Sequence, residues 1–455
     1  MHGIKFLIDL GSTFTKIAVI DLETGRLLSR VKTPSTVEED VTIGLKKGIS
    51  DAEKEAGVKV EKEDVLACSS AAGGLRMICI GLVPSLSLKA ATQAALGAGA
   101  KLVGSYFSEI GPGEVSEIEE LLPDIILLSG GTDGGDKGTI LHNAGMIAGS
   151  KLAAPIIVAG NKMASAQVAS ILKRSEKKVM SVANVMPGVD SIAVEPCREA
   201  IRQVFVENIV QAKGIEKARE IVKEVIMPTP TAVVRAAALL AQGINGEGGM
   251  GGIMVVDVGG ATTDIHSVAE NKIAEGVVYG SLLPEPFVKR TVEGDLGVRH
   301  NMVHLVKLGI ERKVLSKEDE EFARRFSSPA KLPETEEETL FDLKMAQIAT
   351  EIAVERHVGK IELWHGTQGK TMIQSGKDLR NVDIVIGTGG PIVFALNPRP
   401  ILMEALFSNK SPNLLKPVSP ALYLDSGYIL YAVGLLSECN PAAALKAAKT
   451  CIREV

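Results

Sequence analysis

Two stretches of the chain, "IKFLIDLGSTFTK" at residues 4–16 and "IMVVDVGGATTD" at 253–264, share one pattern. In each, an apolar run ends on an acid, Asp9 or Asp257, and crosses a turn of glycine and small residues before a second run begins. Val/Ile/Leu runs of this length read as strands buried in a sheet. Either copy alone reads equally well as an ordinary β-hairpin whose turn is rich in Gly, Ser and Thr. Two copies about 250 residues apart predict two α/β domains of related design, whose facing turns grip one ligand from both sides. The length of 455 residues agrees, being too great for a single core. So do 46 glycines with only 4% aromatic residues, which suit strands joined by tight turns rather than an all-β sandwich.

Strands are expected at 4–9, 16–21 and 27–33, a helix at 38–56, and a further strand in "DVLACSSAAGG". "SLKAATQAALGAGAKLVG" reads as a helix leading into another strand of the same domain. From about 104 to 225, "DIILLSGG", "APIIVAGN" and "KKVMSVANV" alternate with helical segments and predict a parallel, doubly wound layer. "MPTPTAVVRAAALLAQG" then makes a turn and a helix, and "NGEGGMGG" a linker. Residues 315–340 read as a charged, solvated insertion.

Several function classes are disfavoured. A net charge of −5 argues against nucleic acid and anionic membrane as partners. Five dispersed cysteines without a CxxC pair read as reduced thiols, and the seven histidines show no paired zinc spacing. No apolar run reaches membrane-spanning length and no leader pattern opens the chain, so a cytoplasmic location is expected.

In the first turn, Gly11 admits a ligand close to the backbone, and the amides of Ser12, Thr13 and Phe14, beside Thr15, suit a nest for phosphate oxygens. Lys16 can reach the same anion, and Asp9 is placed to hold a water of Mg²⁺. Asp257, Gly259, Gly260, Ala261, Thr262 and Asp264 form the second turn. A third piece, "DIVIGTGGPI", runs a strand into Gly387, Thr388, Gly389 and Gly390, bare backbone on which a base or ribose can lie. The loop "LLSGGTDGGD" at 127–136 reads either as a second ligand or partner site or as a strand-to-helix turn needing glycine. His142 reads as an ordinary helix residue and Arg356 as a surface ion pair.

These three pieces in this order resemble the ATPase superfamily of actin, heat-shock chaperones and sugar kinases. "DLGSTFTK" has the spacing of its first phosphate loop, "DVGGATTD" matches the second, and "GTGG" the adenosine loop. "PTPTAVVRAAAL" is similar to its first connecting helix, "DSGYILYAVGLL" less closely to the second. The resemblance implies two actin-like (ribonuclease H-like) ATPase domains around a nucleotide cleft, with an α/β insertion in the first. The expected boundaries are 1–103 for the first domain, 104–225 for the insertion, 226–252 for connecting helix and linker, 253–425 for the second domain, and 426–455 for a C-terminal helix returning to the first. Together with "SSAAGGLRM", "LLSGGTDGGDKGTILHNA", "VANVMPGV" and "EGDLGVRHN", these motifs resemble the MutL/GlmL family, which accompanies adenosylcobalamin-dependent glutamate mutase and related aminomutases. That family is unrelated to the mismatch-repair protein of similar name. The resemblance implies an ATP-hydrolysing, chaperone-like factor that maintains or reactivates such a mutase, with ATP/ADP and Mg²⁺ as cofactors and mutase subunits as partners; a homodimer is left open. Asp9 and Asp257 would order waters of the metal, Lys16 would neutralise phosphoryl charge, and Asp264 would position the attacking water. The alternatives are a small-molecule kinase of the same superfamily and an ATPase activator of a 2-hydroxyacyl-CoA dehydratase-type enzyme.

Overall fold

The structure, a computed structural model, describes residues 3–11, 14–35, 40–70, 75–211, 221–222, 224–326, 332–366 and 369–455. The chain divides into two compact units. One comprises Met1–Ser69, Lys217–Gly280 and Glu285–Val455; the other comprises Ser70–Glu216 with Ser281–Pro284.

In the first unit, β1 (Ile4–Leu10), β2 (Phe14–Asp21), β3 (Leu27–Pro34), β4 (Val65–Ser69) and β5 (Glu224–Pro228) form a sheet of order β5-β4-β1-β2-β3. β1, β2 and β3 are successively antiparallel, and β4 and β5 run parallel to β1. A second sheet repeats the plan with β6 (Ile253–Val258), β7 (Thr263–Val268), β8 (Val288–Glu293), β9 (Ile384–Thr388) and β10 (Ala421–Asp425). Its order is β8-β7-β6-β9-β10, and β11 (Ile452–Glu454) adds antiparallel to β10. Counted within each half, both sheets read third, second, first, fourth, fifth, with the same strand senses. This is the ribonuclease H-like, actin-type arrangement, present twice.

The central strands are apolar because both their faces are covered. α1 (Val41–Ala56) packs on β2 and β3. Its N-terminus is capped by Asp40, whose side chain accepts from the Thr42 amide, and it ends at Gly57 in left-handed backbone. α2 (Thr229–Gln242), α3 (Glu336–His357), α4 (Leu430–Ser437) and α5 (Pro441–Cys451) complete the scaffold. α2, α4 and α5 bury Leu7, Ala18 and Ile20 of the first sheet and Val255, Ile384 and Ile386 of the second in one apolar cluster, which joins the halves. α2 and α4 cross so closely that a Cβ at Gly434 would strike the backbone of Ala232. α3 lies on the other face of the second sheet, against Met254 and Val256.

Three sequence expectations change. Residues 315–340 are more than a solvated stretch. The helix Lys317–Phe326 buries Phe326, and the rings of Phe322, Phe326 and Phe341 pack together with centroids 4.7–6.4 Å apart. "NGEGGMGG" includes a tight antiparallel pairing of Gly243–Ile244 with Glu247–Gly248 rather than an open linker. The C-terminal segment packs against the first sheet through α4 and then adds β11 to the second.

The second unit holds a parallel sheet in the order Lys101–Phe107, Arg76–Gly81, Ile125–Leu128, Ile156–Val158, Val179–Ser181. That is a doubly wound order of second, first, third, fourth and fifth strands. Its first strand, Arg76–Gly81, and the start of its second, Lys101–Phe107, lie in residues that the sequence reading gave to the first domain. The first sheet instead takes its fifth strand from Glu224–Pro228, after the chain has closed the second unit. No helix among the described residues is long and apolar enough to cross a membrane.

Candidate functional site

β1 carries Asp9 to the C-terminal edge of the first sheet, directly across from Lys16 on β2. The Lys16 ammonium lies 2.7 Å from Asp9 Oδ2, and Asp9 Oδ1 accepts from the Thr229 hydroxyl at 2.6 Å. Thr229 opens α2, so the connecting helix fixes this carboxylate. Burial alone would depress the Lys16 ammonium, but the Asp9 charge and hydrogen bond, with Tyr428 and Tyr431, hold it well above its usual range. Lys16 is therefore a permanent cation. Cys68 on β4 sets its thiol 3.6 Å from the Thr229 hydroxyl, and burial followed by the Asp9 charge pushes that thiol far up, leaving it protonated.

The first turn is braced from behind. Ser35 Oγ donates to the Gly11 carbonyl oxygen at 2.6 Å and lies 3.2 Å from the buried Thr15 hydroxyl. The Thr15 side chain thus supports the turn from its inner side. The Phe14 ring lies under the Lys32 ammonium at 3.7 Å. Ser12 and Thr13 lie outside the described residues.

On the second sheet, β6 carries Asp257 as its penultimate residue, the cross-strand neighbour of Asp264 on β7. Burial and the Asp264 charge push the Asp257 carboxyl up to about 7 against the pull of Lys16, with Asp425 and Asp9 adding to the rise. Contacts join the two halves here: the Lys16 ammonium lies 4.4 Å from the centre of the Tyr428 ring, the Tyr428 amide donates to the Asp425 carbonyl oxygen, and a Cβ at Gly389 would meet Asp257 Oδ1. Asp264 is buried and paired with Arg290 through Oδ2 at 2.8 Å; its Oδ1 has no hydrogen-bond partner among the described residues.

The turn after Asp257 is closed by the Gly259 amide donating to the Thr262 carbonyl oxygen, 2.9 Å. The segment "EGDLGVRHN" clamps it: the amides of Arg299 and His300 donate to the Gly260 carbonyl oxygen, and Gly297 lies where a Cβ would strike the Ala261 backbone. Arg299 in turn pairs with Asp342 on α3. The Ala261 side chain faces solvent.

β9 delivers Gly387 and Thr388 to the same edge. Gly389 has φ of +87°, and a Cβ there would strike the Val258 carbonyl oxygen, so only glycine lets this loop lie against the end of β6. Gly390 opens the short helix Gly390–Val393. The Thr388 hydroxyl donates to buried Asp425 at 2.9 Å, and Asp425 also accepts from the Ile429 and Leu430 amides. Burial nevertheless pushes the Asp425 carboxyl up.

The structure thus gathers Asp9, Lys16, Asp257 and the loop at 387–390, and it shows Asp264 already engaged. Thr229, Asp425 and Tyr428 are the participants that sequence reasoning missed as individuals. Their segments stand out as connecting elements, but Thr229 meets Asp9 across 220 residues and Asp425 meets Thr388 from another strand, while Tyr428 meets Lys16 from the far end of the chain. Elsewhere, Arg356 pairs with Glu293 at 2.6 Å and Asp295 at 2.9 Å. The loop at 129–136 is a braced turn: Asp133 accepts from the Lys162 amide and Asn184, and Asn161 donates to the Gly135 and Asp136 carbonyl oxygens. His142 Nε2 lies 3.1 Å from the Ile110 carbonyl oxygen. Among the described residues no three His, Cys, Asp or Glu side chains gather as a direct metal-ligand set.

A family model described as MutL protein matches residues 5–452. Protein MutL of Clostridium tetanomorphum is 44% identical over 451 residues, covering 97% of this chain and 98% of that protein. Solved structures give fainter likenesses. The ROK hexokinase of Thermus thermophilus is 14% identical with a TM-score of 0.31, covering 98% of each chain. Diol dehydratase-reactivating factor in its nucleotide-free form is 11% identical with a TM-score of 0.32, covering 95% of this chain and 99% of that one. The match along nearly the whole sequence decides the matter: the chain belongs to the MutL protein family.

Proposed function

We propose that the chain is a Mg²⁺-dependent ATPase that acts as a reactivating, chaperone-like factor for an adenosylcobalamin-dependent glutamate mutase or related aminomutase. The observation that carries the ATPase part is the duplicated edge: two sheets of one topology present Asp9 with Lys16 and Asp257 to a shared cleft, beside a glycine loop. The mutase part rests on the family.

Polyphosphate lies between the turn at 11–15 and the turn at 259–262, with adenosine against Gly387–Gly390. Lys16 keeps its charge at any physiological pH and offsets the charge developing on the transferring phosphoryl group, for which positioning and electrostatics supply most of the catalysis. Asp264 has one oxygen committed to Arg290 and the other without a partner among the described residues, so a single acceptor remains to orient the attacking water.

The carboxylates fit Mg²⁺ in the manner expected of that ion. That ion keeps most of its waters and takes few protein ligands besides phosphate. The Asp257 carboxyl at about 7 is poised to ionise beside a cation. Asp9 and Asp257 would hold the ion through water, and when bound it would neutralise phosphate charge.

The test is to add the protein with ATP and Mg²⁺ to an inactivated adenosylcobalamin mutase. Return of mutase activity with ATP, and none with a non-hydrolysable analogue, is expected; no return with either contradicts the partner assignment. Release of one phosphate per ATP without any acceptor separates this reading from a kinase.

A further inference from the structure

Tyr428 occupies the turn between β10 and α4 with φ of +52°, in the left-handed region that bulky side chains rarely adopt. Its amide donates to the Asp425 carbonyl oxygen at 2.8 Å, so the residue that accepts from Thr388 also shapes the Tyr428 backbone. A glycine would meet that backbone without strain. What a glycine lacks is the ring, and the ring spans the cleft. On one side the Lys16 ammonium lies 4.4 Å from its centre. On the other its edge meets the half-exposed Phe394 ring, with centroids 5.8 Å apart and planes at 86°. Phe394 ends the short helix that Gly390 begins.

Among the described residues Lys16 also meets Asp9, and the Tyr431 ring at 5.5 Å. Tyr431 is fixed from behind by its hydroxyl on the Leu7 carbonyl oxygen, 3.4 Å. Asp9 draws the ammonium back into the first sheet. Tyr428 is the contact that draws it toward the glycine loop, through a ring face that favours a cation.

We propose that Tyr428 is a positioning residue, which holds the Lys16 ammonium out in the cleft for a phosphoryl group and links that position to the loop at Gly387–Gly390. The inference rests on the ATPase reading above. Tyr428 acts through Lys16; it does not itself react.

Two measurements test it, one without nucleotide. Tyr428→Gly removes the ring and relieves the backbone, so the fold is kept, while Tyr428→Phe retains the ring. In steady-state ATP hydrolysis, Tyr428→Gly lowers kcat about tenfold with KM within about twofold, and Tyr428→Phe stays within about threefold of the native kcat. In nucleotide-free protein treated with an acylating reagent and read by mass spectrometry, labelling of Lys16 falls about fivefold in Tyr428→Gly as the ammonium retreats onto Asp9, with Lys5 unchanged as the internal control. Unaltered or raised labelling of Lys16 overturns the proposal. So does an undiminished kcat in Tyr428→Gly when the native protein turns over and Asp257→Ala does not. A native protein that hydrolyses no ATP overturns the ATPase reading, and this inference with it.

Discussion

Asp257 is buried, in the field of three other carboxylates and one ammonium, and its titration follows from burial first and those charges second. Its folded pKa of about 7 is above the reference 3.8, so between those values the native state holds a proton that the unfolded chain has lost. Stability contributed by this group is full below the unfolded value and is lost as pH rises through about 7. Replacing it with a neutral isostere removes that penalty. Calorimetry of nucleotide-free Asp257→Asn is expected to give a Tm roughly 2–4 °C above the native protein at pH 8, with the gap closing toward pH 4. Added Mg²⁺·ADP reverses the order at pH 8, because only the native carboxylate gains a cation partner. Thr229 offers a second test at this scale. Thr229→Val keeps the shape of the side chain but withdraws the 2.6 Å hydrogen bond from Asp9, and ATP turnover is expected to fall about tenfold with Tm nearly unchanged. Equal turnover would mean that Asp9 needs no support from α2.

Among the elements, the joint between the halves depends on the crossing of α2 over α4. Gly434 leaves no room for a side chain against Ala232, so Gly434→Val must push the two helices apart. Overpacking of this kind costs about 1–3 kcal/mol or more, and thermal melting is expected to show a loss of several degrees. The same crossing explains what was legible here. The sequence marks both helices by small residues and a Pro-Thr-Ala turn, and it places strands within a few residues of their ends, because burial and turn chemistry are local. It marks Thr229 and Asp425 no differently from their neighbours. Their roles arise from Asp9 and Thr388, which only the folded chain brings within hydrogen-bond reach. Asp264 shows the converse: the family resemblance gives it the role of positioning the attacking water, and Arg290, from the neighbouring strand β8, takes one of its oxygens.

For the whole molecule, the duplicated architecture is legible because each half announces itself with one compact strand–acid–turn motif. The partition of the first α/β region is not. The strand at Arg76–Gly81 carries the same apolar signature as β4, and its parallel pairing with Ile125–Leu128 on one side and Lys101–Phe107 on the other assigns both strands to the second unit. β5 completes the first sheet from beyond that unit, a pairing set by tertiary structure rather than by any nearby residue. The central claim is that both sheets act on one nucleotide, each through its own acid. Phosphate release from Mg²⁺·ATP by the native protein, Asp9→Ala and Asp257→Ala, with circular dichroism showing each variant folded, tests it most directly. The account predicts steady turnover in the native protein and a loss of at least about a hundredfold in each variant. Native-level turnover in either variant would contradict it.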